Sequence, residues 1–84
     1  MTKREWLLNH GYKEYSVNGE YHKNINYDFR RVINVGTNKY YLFYEDEAWN
    51  VRIHQENIEA LTKMLNEVKA DYETMLKELG LWKL

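Results

Sequence analysis

The 84-residue chain contains no cysteine. Disulfide bonds and thiolate metal sites are therefore excluded. Proline is absent too and glycine occurs only four times, so few positions force a break in a helix or strand. No apolar run approaches the roughly 18 residues that a membrane-crossing helix requires. The stretch MTKREWLLNHGY, residues 1–12, has too short an apolar centre for a signal peptide and ends in no small-residue cleavage site. Cytosolic residence is the expectation. An excess of one charge is also missing. Lys and Arg total 12 against 13 Asp and Glu, a net charge of −1. Residues 1–54 carry eight basic and seven acidic side chains (+1), and residues 55–84 carry four and six (−2). Neither part has the strong basic field on which sequence-independent nucleic-acid binding relies.

What is present is ordinary for a folded protein: 44% hydrophobic and 30% charged residues, which argues against disorder. A chain this short buries only a little over about 60% of its unfolded surface. One α+β domain, residues 1–84, is expected.

The first element is a short helix over residues 3–10. Thr2 and Glu5 have capping-box spacing, and Met1 and Trp6 that of a hydrophobic staple. Gly11 stands where a left-handed helix stop belongs, with Tyr12 and Leu7 spaced for the contact that accompanies it. Residues 12–54 read as an antiparallel meander of three to four strands. Asn18-Gly19 is a hairpin signal between YKEYSV and EYHKNI. The turn Gly36-Thr37-Asn38 joins DFRRVINV to KYYLFYE. Residues 20–27 are weakened as a strand by Asn24 and Asn26. After the acidic EDEA at 45–48, Trp49, Val51 and Ile53 alternate with polar residues as in a strand.

A long amphipathic helix is expected over residues 56–79, packed on the sheet. Ile58, Leu61, Leu65, Val68, Tyr72, Met75 and Leu79 recur at alternating spacings of 3 and 4, widened by Met64 and Leu76 into a heptad-like stripe. Gly80 ends it, with Leu81 and Leu76 placed for a capping contact. Such a helix spans about 33 Å, whereas six-residue strands span about 20 Å. Its far end, around Tyr72, Met75, Leu76 and Leu79, is expected to overhang. Cover would come from helix 3–10, from Leu81 and Trp82, or from a second copy, making a homodimer.

Catalytic chemistry finds little support. Ser16 is the only serine, the three histidines fall on three different elements, and no local signature pairs a nucleophile with a base. Glu20-x-His22 is the nearest approach to a metal-ligand pair, and structural zinc takes four ligands. No enzyme activity, cofactor or metal is expected.

The stretch KYYLFYEDE, residues 39–47, is the most informative. Strand side chains alternate between faces, and here both faces are apolar or aromatic. Tyr40, Leu42 and Tyr44 share one face; Tyr41, Phe43 and Glu45 share the other. A carboxylate without a partner is costly to bury, so the Glu45 face is expected to be the outer one, roofed at most in part by helix 3–10. Tyr41 and Phe43, flanked by Glu45, Asp46 and Glu47, then have the makeup of a protein-binding surface. The expected function is a small non-enzymatic binding protein that modulates a larger macromolecule by occupying its surface. The richness in Asn, Lys and Tyr suggests an AT-rich coding sequence and the setting of a phage or mobile-element inhibitor of a host enzyme or defence system. The alternative is a single-stranded nucleic-acid regulator, with Lys23, Arg30, Arg31 and Arg52 lining the sheet beside Tyr41 and Phe43.

Overall fold

The computed structural model describes residues 1–25, 29–44 and 58–82. In chain order these form α1 (Lys3–Asn9), β1 (Lys13–Ser16), β2 (Glu20–Asn24), β3 (Phe29–Asn34), β4 (Lys39–Tyr44) and α2 (Ile58–Glu78). The four strands make one antiparallel sheet in the order β1-β2-β3-β4, and α2 packs on β3 and β4. The fold is α+β. The strand expected over 49–54, the bend at 45–48 and Arg52 lie outside the described residues.

α1 forms because both of its ends are chemically closed. The Thr2 hydroxyl accepts from the Glu5 amide at 3.1 Å, and the Thr2 amide donates to Glu5 Oε1 at 3.0 Å, satisfying amides that have no partner inside the helix. The Thr2 amide first, and then the Thr2 hydroxyl, hold the Glu5 carboxyl below the usual carboxylate range. At the other end Gly11 takes φ +87°. The Tyr12 amide reaches back to the Leu7 carbonyl at 3.0 Å and the Gly11 amide to Leu8 at 3.5 Å, the paired bonds of a Schellman stop. α2 ends the same way, with Leu81 to Leu76 at 2.7 Å and Gly80 to Lys77 at 3.1 Å.

The first hairpin differs from the two-residue turn that Asn-Gly signals. Val17, 95% exposed, joins Asn18 and Gly19 in a three-residue loop between β1 and β2. Gly19 alone takes a positive φ there, +89°, and the register of β1 shifts between Glu14 and Ser16. A three-residue loop with glycine in the left-handed region and a bulge is the next commonest hairpin design. The loop is pressed against the second turn. A side chain at Gly36 would place its Cβ 2.7 Å from the Asn18 carbonyl oxygen, and one at Gly19 would lie 2.9 Å from the Gly36 amide nitrogen. The two turns approach this closely because neither carries a side chain at the contact.

The core lies between the sheet and both helices. It contains Trp6 and Leu7 from α1, Tyr12, Tyr21 from β2, Ile33 from β3, and Val68 and Met75 from α2, with Tyr40 and Leu42 of β4 packed against it. α1 therefore sits on the same side of the sheet as α2. It does not roof the other face, as the sequence suggested. The reason is its amphipathic side: Trp6 is 3% exposed and donates from Nε1 to Glu78 Oε2 at 2.9 Å, which ties α1 to the last turn of α2. This contact also covers the far end of α2. Met75 is fully buried, and Tyr72, Leu76 and Leu79 are partly buried in the same core. Of the covers expected for Tyr72, Met75, Leu76 and Leu79, the one described is helix 3–10, whose Trp6 and Leu7 lie in the same core. Among the described side chains of the heptad stripe, the exposed one is Leu65, at 42%.

Candidate functional site: the sheet face away from the helices

Register assigns every strand residue to a face. Tyr21, Ile33 and Tyr40 are aligned across β2, β3 and β4, as are Lys23, Arg31 and Leu42. Because Tyr21, Ile33, Tyr40 and Leu42 pack with the helices, Lys23 and Arg31 belong to the helix side. His22, Val32 and Tyr41 are aligned on the opposite side, and Arg30 pairs with Phe43 there. Tyr41 and Phe43 thus face away from α1 and α2. Glu45, Asp46 and Glu47, grouped with them in the sequence, lie outside the described residues.

The cation set suggested for nucleic acid is divided by this arrangement. Arg30 and Arg31 are consecutive, so strand alternation sends them to opposite faces. Arg31 meets α2, donating to Glu67 Oε2 at 2.7 Å and to Asp71 Oδ2 at 3.0 Å. The Tyr12 hydroxyl donates to the same Asp71 oxygen at 2.7 Å. Burial, together with the neighbouring Asp71, pushes the Tyr12 hydroxyl well above the ordinary phenol range. Lys23 Nζ donates to the His10 carbonyl at 2.9 Å, at the C-terminal end of α1 where unpaired carbonyls favour a cation. Of the three described cations, Arg30 alone shares the face of Tyr41 and Phe43.

That face is organised around His22, which is 6% exposed. Its Nε2–H donates to Glu20 Oε1 at 2.8 Å. Its Nδ1 faces Arg30 Nη1 at 3.4 Å, a long contact in which the guanidinium can only donate. The two partners together call for the Nε2-protonated tautomer. The Tyr15 ring lies flat on the imidazole, with centroids 4.0 Å apart and planes within 6°. Phe43 approaches the same imidazole at 5.9 Å. The Arg30 guanidinium stands 5.4 Å from the Phe43 centroid and 5.8 Å from that of Tyr15, within cation–π range. Tyr41 completes the set, its hydroxyl donating to Glu20 Oε1 at 3.1 Å. The His22 hydrogen bond, more than that of Tyr41, holds the Glu20 carboxyl below its ordinary range despite some burial. Burial and the adjacent Glu20 push the Tyr41 hydroxyl up.

The result is a preorganised cluster of rings with one cation and one carboxylate in fixed positions. Tyr15 is 59% and Tyr41 37% exposed. Sequence reasoning found Tyr41, Phe43 and Arg30, singled out Glu20-x-His22 only as a weak metal-ligand pair, and missed Tyr15. Its signal, the pairing of YKEY with EYH, is obscured by the register irregularity between Glu14 and Ser16. At the β1 edge of the sheet an open depression of about 690 Å³ is lined from both faces, by Lys13, Tyr15, His22 and Arg30 on the outer side and by Glu14 and Lys23 on the helix side.

Among the described residues no cluster of His, Asp or Glu is arranged to hold a metal ion, and no helix is long and apolar enough to cross a membrane. Comparison with family models, curated proteins and solved structures finds no match for the chain.

Proposed function

We propose that this is a non-enzymatic binding protein that modulates a larger protein by occupying its surface, with the sheet face of Tyr15, Arg30, Tyr41 and Phe43 as its contact surface. The observation that carries this reading is the exposure of Tyr15 and Tyr41 on a face held rigid by the His22–Glu20–Arg30 contacts. Tyrosine and arginine are enriched among residues that dominate binding energy, and a ring already fixed by its neighbours loses little entropy on docking. The compositional flavour of the sequence suits a phage or mobile-element inhibitor acting on a host protein. The test is Tyr41→Ala combined with Phe43→Ser. A partner isolated by affinity pull-down from the native host should bind the double variant at least about 2 kcal/mol more weakly by titration calorimetry, while the variant keeps its circular dichroism. Unchanged affinity would refute the assignment of this face.

A further inference from the structure

The geometry points to a pH-sensitive device in the outer face: protonation of His22 expels Arg30 from its place beside the imidazole, so the ring cluster has two arrangements selected by pH. The device stands on this chain alone, whatever docks on the face. His22 is 6% exposed and lies between two groups of opposite charge. On one side its Nε2–H donates to Glu20 Oε1 at 2.8 Å. On the other its Nδ1 meets Arg30 Nη1 at 3.4 Å, a contact that needs a lone pair on Nδ1 because a guanidinium only donates. A second proton takes that lone pair. It sets N–H against N–H and cation against cation where little water separates them. Glu20 pulls the other way. Its carboxyl is held below the ordinary range chiefly by the His22 bond, so it stays ionised in mild acid and pairs more strongly with an imidazolium than with a neutral ring. Glu20 thus keeps the charged imidazole in place, and Arg30 is the group that yields.

The other groups around the imidazole do not restore the contact. Tyr15 of β1 stacks on it and Phe43 of β4 approaches it, both uncharged. Tyr41 of β4 donates to the same Glu20 oxygen and keeps its proton, since burial and Glu20 push its hydroxyl up. Lys13 of β1 is the cross-strand partner of His22 and adds positive charge on the same side. Val32, aligned with His22 on β3, is apolar. Arg30 has a further interaction besides these, so parting from His22 does not leave it bare. The aromatic surface changes with it. The guanidinium stands 5.4 Å from the Phe43 centroid and 5.8 Å from that of Tyr15. Its departure takes a cation from both rings, but Tyr15 gains an imidazolium beneath it and stays stacked. Phe43 is the ring that loses its support.

The experiment follows the isotope-labelled full chain by nuclear magnetic resonance from about pH 8 to about pH 5, the range in which imidazoles titrate. The His22 ring, the Arg30 Nε–H and the Phe43 ring protons should shift together with one midpoint, while Tyr15 keeps its contacts to His22. Arg30→Gln removes the opposing cation and should move the His22 midpoint to higher pH; Glu20→Gln should move it to lower pH. Loss of packing alone gives no such opposed pair of shifts, and the wild-type titration needs no variant to fold. Arg30 and Phe43 signals that stay still while His22 titrates would overturn the device. So would a His22 midpoint indifferent to Arg30→Gln, or a His22 that takes up no proton over this range. No partner enters these measurements, so their failure leaves the protein-binding reading of the face to its own test.

Discussion

Each side of the sheet carries an aromatic ring stacked on a histidine. Trp6 lies on His10 with centroids 3.7 Å apart and planes within 13°; Tyr15 lies on His22 at 4.0 Å and 6°. The geometry is nearly the same, but the burial is inverted. In the first pair the aromatic ring is inside, 3% exposed, and the histidine is outside. In the second the histidine is inside, 6% exposed, and the aromatic ring is 59% exposed. Trp6 is an anchor whose indole N–H also finds a carboxylate, so its contacts serve the fold. Tyr15 is displayed on a buried imidazole that Glu20 and Arg30 hold in place. A ring fixed from beneath and bare above is organised for something that arrives from solvent.

The sharpest way to break this comparison is at the inner pair. Replacing a well-packed core tryptophan by alanine typically costs about 3–5 kcal/mol. Trp6→Ala should fall in that range by denaturant unfolding, since the ring is 3% exposed and its Nε1 bond to Glu78 is lost as well. A loss under about 1 kcal/mol would mean that α1 is loosely docked and that the inner stack is no anchor. Next in size is Arg31→Ala. It removes two charge-assisted bonds and leaves Glu67 and Asp71 facing each other beside the sheet. Their side chains are only 38% and 27% exposed, so solvent relieves part of the repulsion. About 2 kcal/mol is expected, read from the same unfolding curves. Arg30→Ala on the opposite face should cost clearly less.

How far the sequence discloses this division depends on the interactions involved. The helix boundaries were legible because capping is local: Thr2 to Glu5, Leu7 to Tyr12 and Leu76 to Leu81 each lie within six residues. Alternation, which is also local, grouped Tyr41 with Phe43, and the cost of burying the Glu45 carboxylate chose their face as the outer one; Glu45 itself lies outside the described residues. The side taken by α1 was not legible. It depends on Trp6 meeting Glu78, 72 residues away, and nothing near Trp6 encodes that partner. Arg31 misled for a similar reason. It reads as one more cation beside Tyr41 and Phe43, and only the α2 acids at 67 and 71, one helical turn apart, explain it. Glu20 and His22 were legible as a pair on one face, but the stacking of Tyr15 on His22 depends on the β1–β2 register, which is irregular between Glu14 and Ser16.

A smaller effect, readable only against pH, separates the faces through tyrosine. The Tyr12 hydroxyl is raised in the fold by burial and by Asp71, so the folded chain keeps this proton where an unfolded chain would release it. The stabilisation is therefore fully present below about pH 10, the ordinary phenol value, and erodes as pH rises beyond it. Tyr12→Phe should cost about 1 kcal/mol at neutral pH through the lost bond to Asp71. It should also flatten the alkaline decline in melting temperature. An unchanged alkaline limb would place the decline in Tyr21 or Tyr41 instead.

The smallest change in stability is expected at the outer stack, and it is the one that decides what that stack is for. Tyr15→Ala removes a ring more than half in solvent, so little apolar area returns to water. Its contact with His22 is worth about 0.5–1 kcal/mol beyond burial, and β1 is an edge strand that neighbours support on one side only. A loss under about 1 kcal/mol is expected, several-fold less than for Trp6→Ala despite the matching ring geometry. His22 should remain held by Glu20, which a preserved Nε2–H resonance in the imidazole region of the proton spectrum would report. If Tyr15→Ala instead unfolds the chain as Trp6→Ala does, the outer ring is part of a second core and the two faces do not differ in kind. If stability is kept and binding of the partner isolated by pull-down is lost, the same stacking geometry serves folding on one side of the sheet and recognition on the other.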